Sequence, residues 1–237
     1  MNAIVLALLG SLTLAGFHAL TPLLNRTPER HHAALDSLAG GIGLTYVFLY
    51  LLFELIRDGA PLIHNFLPLG PEPLESLAIF LAASVAGVYL LQVHLERTTD
   101  LSDDYRALAA FFIAYNFLAG AGLVEEARWG ALNLAIYVAA VGAHMVCNER
   151  LLIHLYEHAY GRFWRAMLAA APVLGFGIAS GFRLPEGALY VVLTVVAGAM
   201  IINVVRRELP TAPRLRPFPF VMGLLGYGSL ILTSWRF

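Results

Sequence analysis

The chain has 237 residues, 59% hydrophobic and only 13% charged, with a mean hydropathy of +0.73. A water-covered domain of this size carries roughly a quarter charged residues, so the composition excludes a soluble enzyme and a secreted disulfide scaffold. The formal net charge is −1 and all 15 basic residues are arginine, scattered without a phosphate-reading stripe, so no nucleic-acid partner is expected. Cys147 is the sole cysteine and forms no internal disulfide.

Apolar runs separated by polar or Pro/Gly-rich breaks fall at about 2–24, 33–56, 76–96, 107–124, 130–157, 163–181, 186–206 and 217–234. At about 20 residues per membrane crossing, these are eight spans. The bilayer core offers no water to backbone groups, and the runs are apolar on consecutive positions, so helices rather than barrel strands are required. The expected fold class is all-α, a single polytopic transmembrane domain over residues 1–237 that has the lipid bilayer as its partner. The first run lacks a basic leader and a small-x-small cleavage site, and reads as a mature span rather than a signal peptide.

In chain order, the first span carries His18. The second opens with Asp36, which reads as a helix cap, continues through Ala39-Gly40-Gly41 and ends at Glu54-Leu55. The third carries His94 and ends at Glu96; Glu54, Glu75 and Glu96 all read as charges at span ends, where they cost little. The fourth holds Tyr115-Asn116-Phe117-Leu118-Ala119-Gly120, with Asn116 near its middle. The fifth holds His144-Met145-Val146-Cys147-Asn148-Glu149-Arg150 and is long enough to tilt or project beyond the bilayer. Pro172 is expected to kink the sixth. The seventh repeats the second in outline, with Ala197-Gly198-Ala199 near its start and Glu208-Leu209 at its end. Five spans apart, the two run oppositely through the membrane, as inverted transporter repeats do, although helix packing alone also selects small residues.

Arginines set the orientation. Ten lie in the loops between spans 1–2, 3–4, 5–6 and 7–8, against Arg57, Arg128, Arg183 and Arg236 on the other side. The richer side is expected to be cytoplasmic, which puts both termini outside, in the plasma (inner) membrane. Trp129 and Trp235 sit where interfacial aromatic belts lie.

Polar groups inside spans are costly unless paired or wet, and each is a candidate for function. His144 and Asn148 lie four apart on one helical face. With Asn116 they offer an imidazole nitrogen and two amide oxygens, a thin ligand set beside the three or four His, Cys, Asp or Glu groups usual for zinc. Glu149 and Arg150 point elsewhere on the same helix and suit buried ion pairs or an inner vestibule. His154, Glu157 and His158 have spacing that can bind a metal, or form a solvated interfacial face. His18 and His94 read as packing histidines, and His31-His32 as an exposed pair. No nucleophile triad, phosphate loop or CxxC pair is present, so the chain is not read as an enzyme.

Segments four and five together resemble the ZIP family of divalent-metal transporters. Tyr115-Asn116-Phe117-Leu118-Ala119-Gly120 is similar to that family's His-Asn-x-x-Asp/Glu-Gly, and His144-Met145-Val146-Cys147-Asn148-Glu149 to its His-Glu-x-Pro-His-Glu. Asn116, Gly120, His144 and Glu149 match residue by residue. Tyr115 stands in place of a histidine, Ala119 of a carboxylate, Met145 of an acid or amide, Cys147 of a proline and Asn148 of a second ligand. The resemblance implies eight spans in a 3+2+3 arrangement of inverted repeats, with both termini outside and a pathway at the helix 4/5 interface. It implies Zn or another divalent cation as substrate, held at Asn116, His144, Asn148 and Glu149, with no resident cofactor. Without the bridging carboxylates a dication in the low-dielectric midplane lacks anionic compensation, so the site is expected to be degenerate and weak. The alternative is a transport-incompetent relative acting as membrane sensor, partner subunit or scaffold. Assembly into a homo-oligomer is left open.

Overall fold

The computed structural model describes residues 2–24, 29–98, 104–155, 161–182, 184–211 and 213–235. Among them are no strands, and eight helices are long and apolar enough to cross a membrane. We label them α1 (Ala3–Leu24), α2 (29–66), α3 (Pro73–Thr98), α4 (Asp104–Glu126), α5 (Ala131–Leu155), α6 (Arg162–Gly181), α7 (Glu186–Asn203) and α8 (Pro217–Ser234). A single 3₁₀ turn, Ala127–Trp129, follows α4, and a π-helical turn, Val204–Glu208, follows α7.

The second span is longer than the apolar run suggests. The Arg57-Asp58 dipeptide reads as a loop in sequence, yet the helix continues through it to Phe66. Arg57 donates to Asp58 Oδ2 through Nε and Nη2 at 2.8 and 2.6 Å, which neutralises both charges on the helix surface. Two π-helical turns, Tyr46–Leu51 and Leu55–Gly59, interrupt α2. The second ends just before Pro61, whose ring would clash with the carbonyl four residues back in a regular α-helix. At 1.5 Å per residue α2 is over 50 Å long, well beyond the roughly 30 Å hydrocarbon core. α2 is therefore long enough to project beyond the bilayer, a length that the apolar run 33–56 does not suggest.

The helices pack in two groups. In the first, α4 lies along α6, and α1 along α5 and α6; in the second, α2 lies along α8 and α3 along α7. The groups meet where α7 touches α4 and where α2 touches α5. Exchanging α1 with α6, α2 with α7, α3 with α8 and α4 with α5 turns α4·α6 into α5·α1 and α2·α8 into α7·α3. It also turns α4·α7 into α5·α2 and α3·α4 into α8·α5. Of the larger pairings, α1·α4 and α2·α3 alone have no counterpart of similar size. The small-residue motifs in α2 and α7 take equivalent places in this scheme. A Cβ on Gly41 would strike the α8 backbone at Phe220 and Leu224, and one on Gly198 the α3 backbone at Ser84 and Val85.

Lipid tails are as apolar as leucine, so helices associate here through close backbone approach at small residues. The tightest crossing joins α4 to α6: a Cβ on Gly120 would collide with the Pro172 carbonyl, and one on Gly175 with the Phe117 carbonyl. Pro172 sits inside α6 at this crossing. Replacing Gly175 by alanine should therefore force the two helices apart, at about 1–3 kcal/mol, seen as a lower thermal midpoint of the detergent-solubilised protein. Gly177→Ala, at a position with open space around it, is the control and should leave the midpoint in place.

Candidate functional site

Successive residues of α5 leave its axis about 100° apart, so its polar run meets different neighbours. Glu149, 1% exposed, faces α1 and α6. His18 Nδ1–H donates to its Oε2 at 2.8 Å, and Arg165 Nε donates to its Oε1 at 3.1 Å. On its far side the His18 ring accepts from Asn116 Nδ2 of α4 at 2.9 Å, and the same amide donates to the Leu168 carbonyl at 3.3 Å. In this pattern His18 carries its hydrogen on Nδ1 and accepts at Nε2.

His144 turns the other way, toward α7. Its Nε2 accepts from Asn148 Nδ2 at 2.9 Å and from Asn203 Nδ2 at 3.3 Å. Asn203 Oδ1 accepts from Gln92 Nε2 of α3 at 2.7 Å, and Gln92 Oε1 from Arg206 at 3.3 Å. The Arg206 guanidinium also lies over the Tyr89 ring, 5.3 Å from its centre. Tyr115 of α4 meets the His144 ring edge-on, centroids 5.0 Å apart. The first network lies within one helix group; the second, together with an ion pair between Arg150 and Asp36 of α2, ties the two groups together.

The expected ligand set is thus divided. Asn116 and Glu149 belong to the first network, His144 and Asn148 to the second. The reason is helical geometry: Tyr115 directs its ring to His144, and Asn116, one residue on, is turned toward α1. His144 Nε2 already receives two N–H donors, and both oxygens of Glu149 are engaged. Among the described residues no group of three or more His, Cys, Asp or Glu could hold a metal ion. Asp36 lies inside α2 rather than capping it, and pairs with Arg150. His94 is exposed rather than packed. The side chains of His31, Glu96 and His154, and residues Glu157 and His158, lie outside what the structure describes.

Two network members, Gln92 and Asn203, are absent from the sequence-derived candidates. Each is a fully buried amide in an apolar span, and that alone is the signal that marks them. Glu54, expected at an inexpensive span end, is only 6% exposed, and Glu126, just past the expected end of span four, is fully buried. No protein-family model matches the chain, and no curated protein matches its sequence.

Glu149 is a buried charge compensated from two sides, so removing its partners should cost more than removing the group itself. Breaking a buried pair typically costs about 3–5 kcal/mol. His18→Ala should lower the thermal midpoint sharply, and adding Glu149→Ala to it should cost much less than the sum of the single changes. Strict additivity in that double-mutant cycle would show that the two side chains do not interact.

Proposed function

We propose that the chain is a ZIP-like membrane carrier for a divalent cation, with a degenerate site at the junction of α5 with α4 and α7. The observation that carries this reading is the packing pattern that survives exchange of α1–α3 with α6–α8 and of α4 with α5. Inverted repeats of this kind place substrate at the repeat interface and alternate access by rocking one bundle against the other. In this reading the α1/α4/α5/α6 group moves against the α2/α3/α7/α8 group. The termini face outward, and the arginine-rich ends of the helices face the cytoplasm across the plasma (inner) membrane. His144, Asn148 and Asn203 line the junction, and a cation reaching His144 Nε2 displaces two amide donors. The ligands there are neutral, so affinity is low and Zn²⁺ is held less tightly than by a carboxylate-bridged centre.

A second reading draws on the saturation of the same groups. The bond from Asn203 to His144 crosses between the two groups, and the Asn148 and Gln92 bonds saturate its two ends, as suits a sensor, partner subunit or scaffold that no longer transports. Flux into proteoliposomes separates the two. The carrier reading expects uptake of at least one of Zn²⁺, Cd²⁺, Mn²⁺ and Fe²⁺ above protein-free vesicles, and its loss in His144→Ala. Absence of uptake for all four, with the reconstituted protein retaining its thermal midpoint, selects the second reading.

A further inference from the structure

At the end of the molecule opposite these networks, two buried carboxyl groups face each other across the boundary between the helix groups: Glu54 on α2 and Glu126 at the end of α4. Glu54 is 6% exposed and Glu126 0%. Tyr50, one turn before Glu54, donates its hydroxyl to Glu126 Oε2 at 2.9 Å. Both Glu54 oxygens and Glu126 Oε1 have no hydrogen-bond partner. Two carboxylates side by side are acceptors only, so neither satisfies the other unless one carries a proton.

The surrounding charges do not resolve this. On α2, Arg57 is engaged by Asp58. Beyond α4, Arg128 pairs with Glu125 at 3.0 Å and with Glu186 of α7 at 2.7 Å. The remaining titratable groups turned to the pair are phenols: Tyr46 on α2, Tyr137 on α5, Tyr190 on α7 and Tyr227 on α8. Five acids therefore share two guanidinium groups, both already taken by the outer three. Among the described residues no third His, Cys, Asp or Glu completes a metal-binding group here.

We propose that Glu54 and Glu126 share a proton that latches the two helix groups together at this end. Glu54 lines a cavity of about 210 Å³ that also borders Asn133 and the half-exposed Trp129 and Trp235, with room for water. A proton enters from that water onto a Glu54 oxygen and bridges to Glu126 Oε1; it leaves by the same route, with no other bond made or broken. With the proton in place, a second hydrogen bond crosses from α2 to α4 beside that of Tyr50. Without it, two carboxylates in a low-dielectric site repel and the groups part at this end. The latch stands on this geometry alone and does not depend on the carrier reading.

A hydrophobic carbodiimide tests the proposal, because it modifies carboxyl groups that are protonated in apolar surroundings. The 237-residue chain in detergent at pH 7 should be modified at Glu54 or Glu126, mapped by peptide mass spectrometry, about tenfold more than at exposed Glu75, equivalent to one pH unit of added protonation. Modification should fall with rising pH. In parallel, hydrogen exchange of peptides covering 46–59, corrected for intrinsic rate, should speed up with pH in the wild type and lose that dependence in Glu54→Gln, which stays neutral. Modification of neither glutamate, or protection by Mg²⁺ or Mn²⁺ in place of pH dependence, overturns the proton latch. So does unchanged exchange in the wild type across the pH range. None of these outcomes bears on cation flux, so failure here and failure of the carrier reading are told apart.

Discussion

Inside a bilayer every polar group must find its partner within the protein, because no water is present to supply one. Backbone groups meet this demand by forming helices, which accounts for the eight apolar spans. Side chains meet it in clusters. The histidines, amides and ions in the arginine-rich half bond to one another in chains such as Asn116–His18–Glu149–Arg165 and Asn148–His144–Asn203–Gln92. With no hydrophobic drive between helices in lipid, close approach at Gly41, Gly120, Gly175 and Gly198 supplies the packing around those clusters.

The two ends of the molecule differ in how far this demand is met. At the arginine-rich end, Glu149 has donors on both oxygens, Asp36 has Arg150, and His144 Nε2 has two amides. At the opposite end, Glu54 and Glu126 keep unpartnered oxygens, and Glu54 lines a cavity. Both ends join the same two helix groups, through Asn203–His144 and Arg150–Asp36 at one and through Tyr50–Glu126 at the other.

Neighbouring positions 115 and 116 show how the helical turn divides a set of polar side chains. The Tyr115 phenol packs edge-on against the His144 ring and keeps its hydroxyl buried without a hydrogen-bond partner. Asn116, although it matches the resembled motif, serves His18. A motif match names residue types, and the helical turn between neighbours decides which of them meet.

Several features were legible in the amino-acid order alone. The span count follows from runs of apolar residues, helicity from the absence of water, and the likeness of α2 to α7 from small residues at matching places. Arg57-Asp58 misled, because an adjacent pair can cancel its own charge and let a helix continue. Which side chains share a network was decided only by tertiary structure. Local spacing puts His144 and Asn148 on one face, but Gln92, Asn203 and His18 arrive from helices far away in sequence. Likewise, whether Glu54 and Glu126 sit in water or inside the protein depends on how α2 packs against α4. A carboxyl group's surroundings are set by distant residues, and no run of neighbours along the chain encodes them.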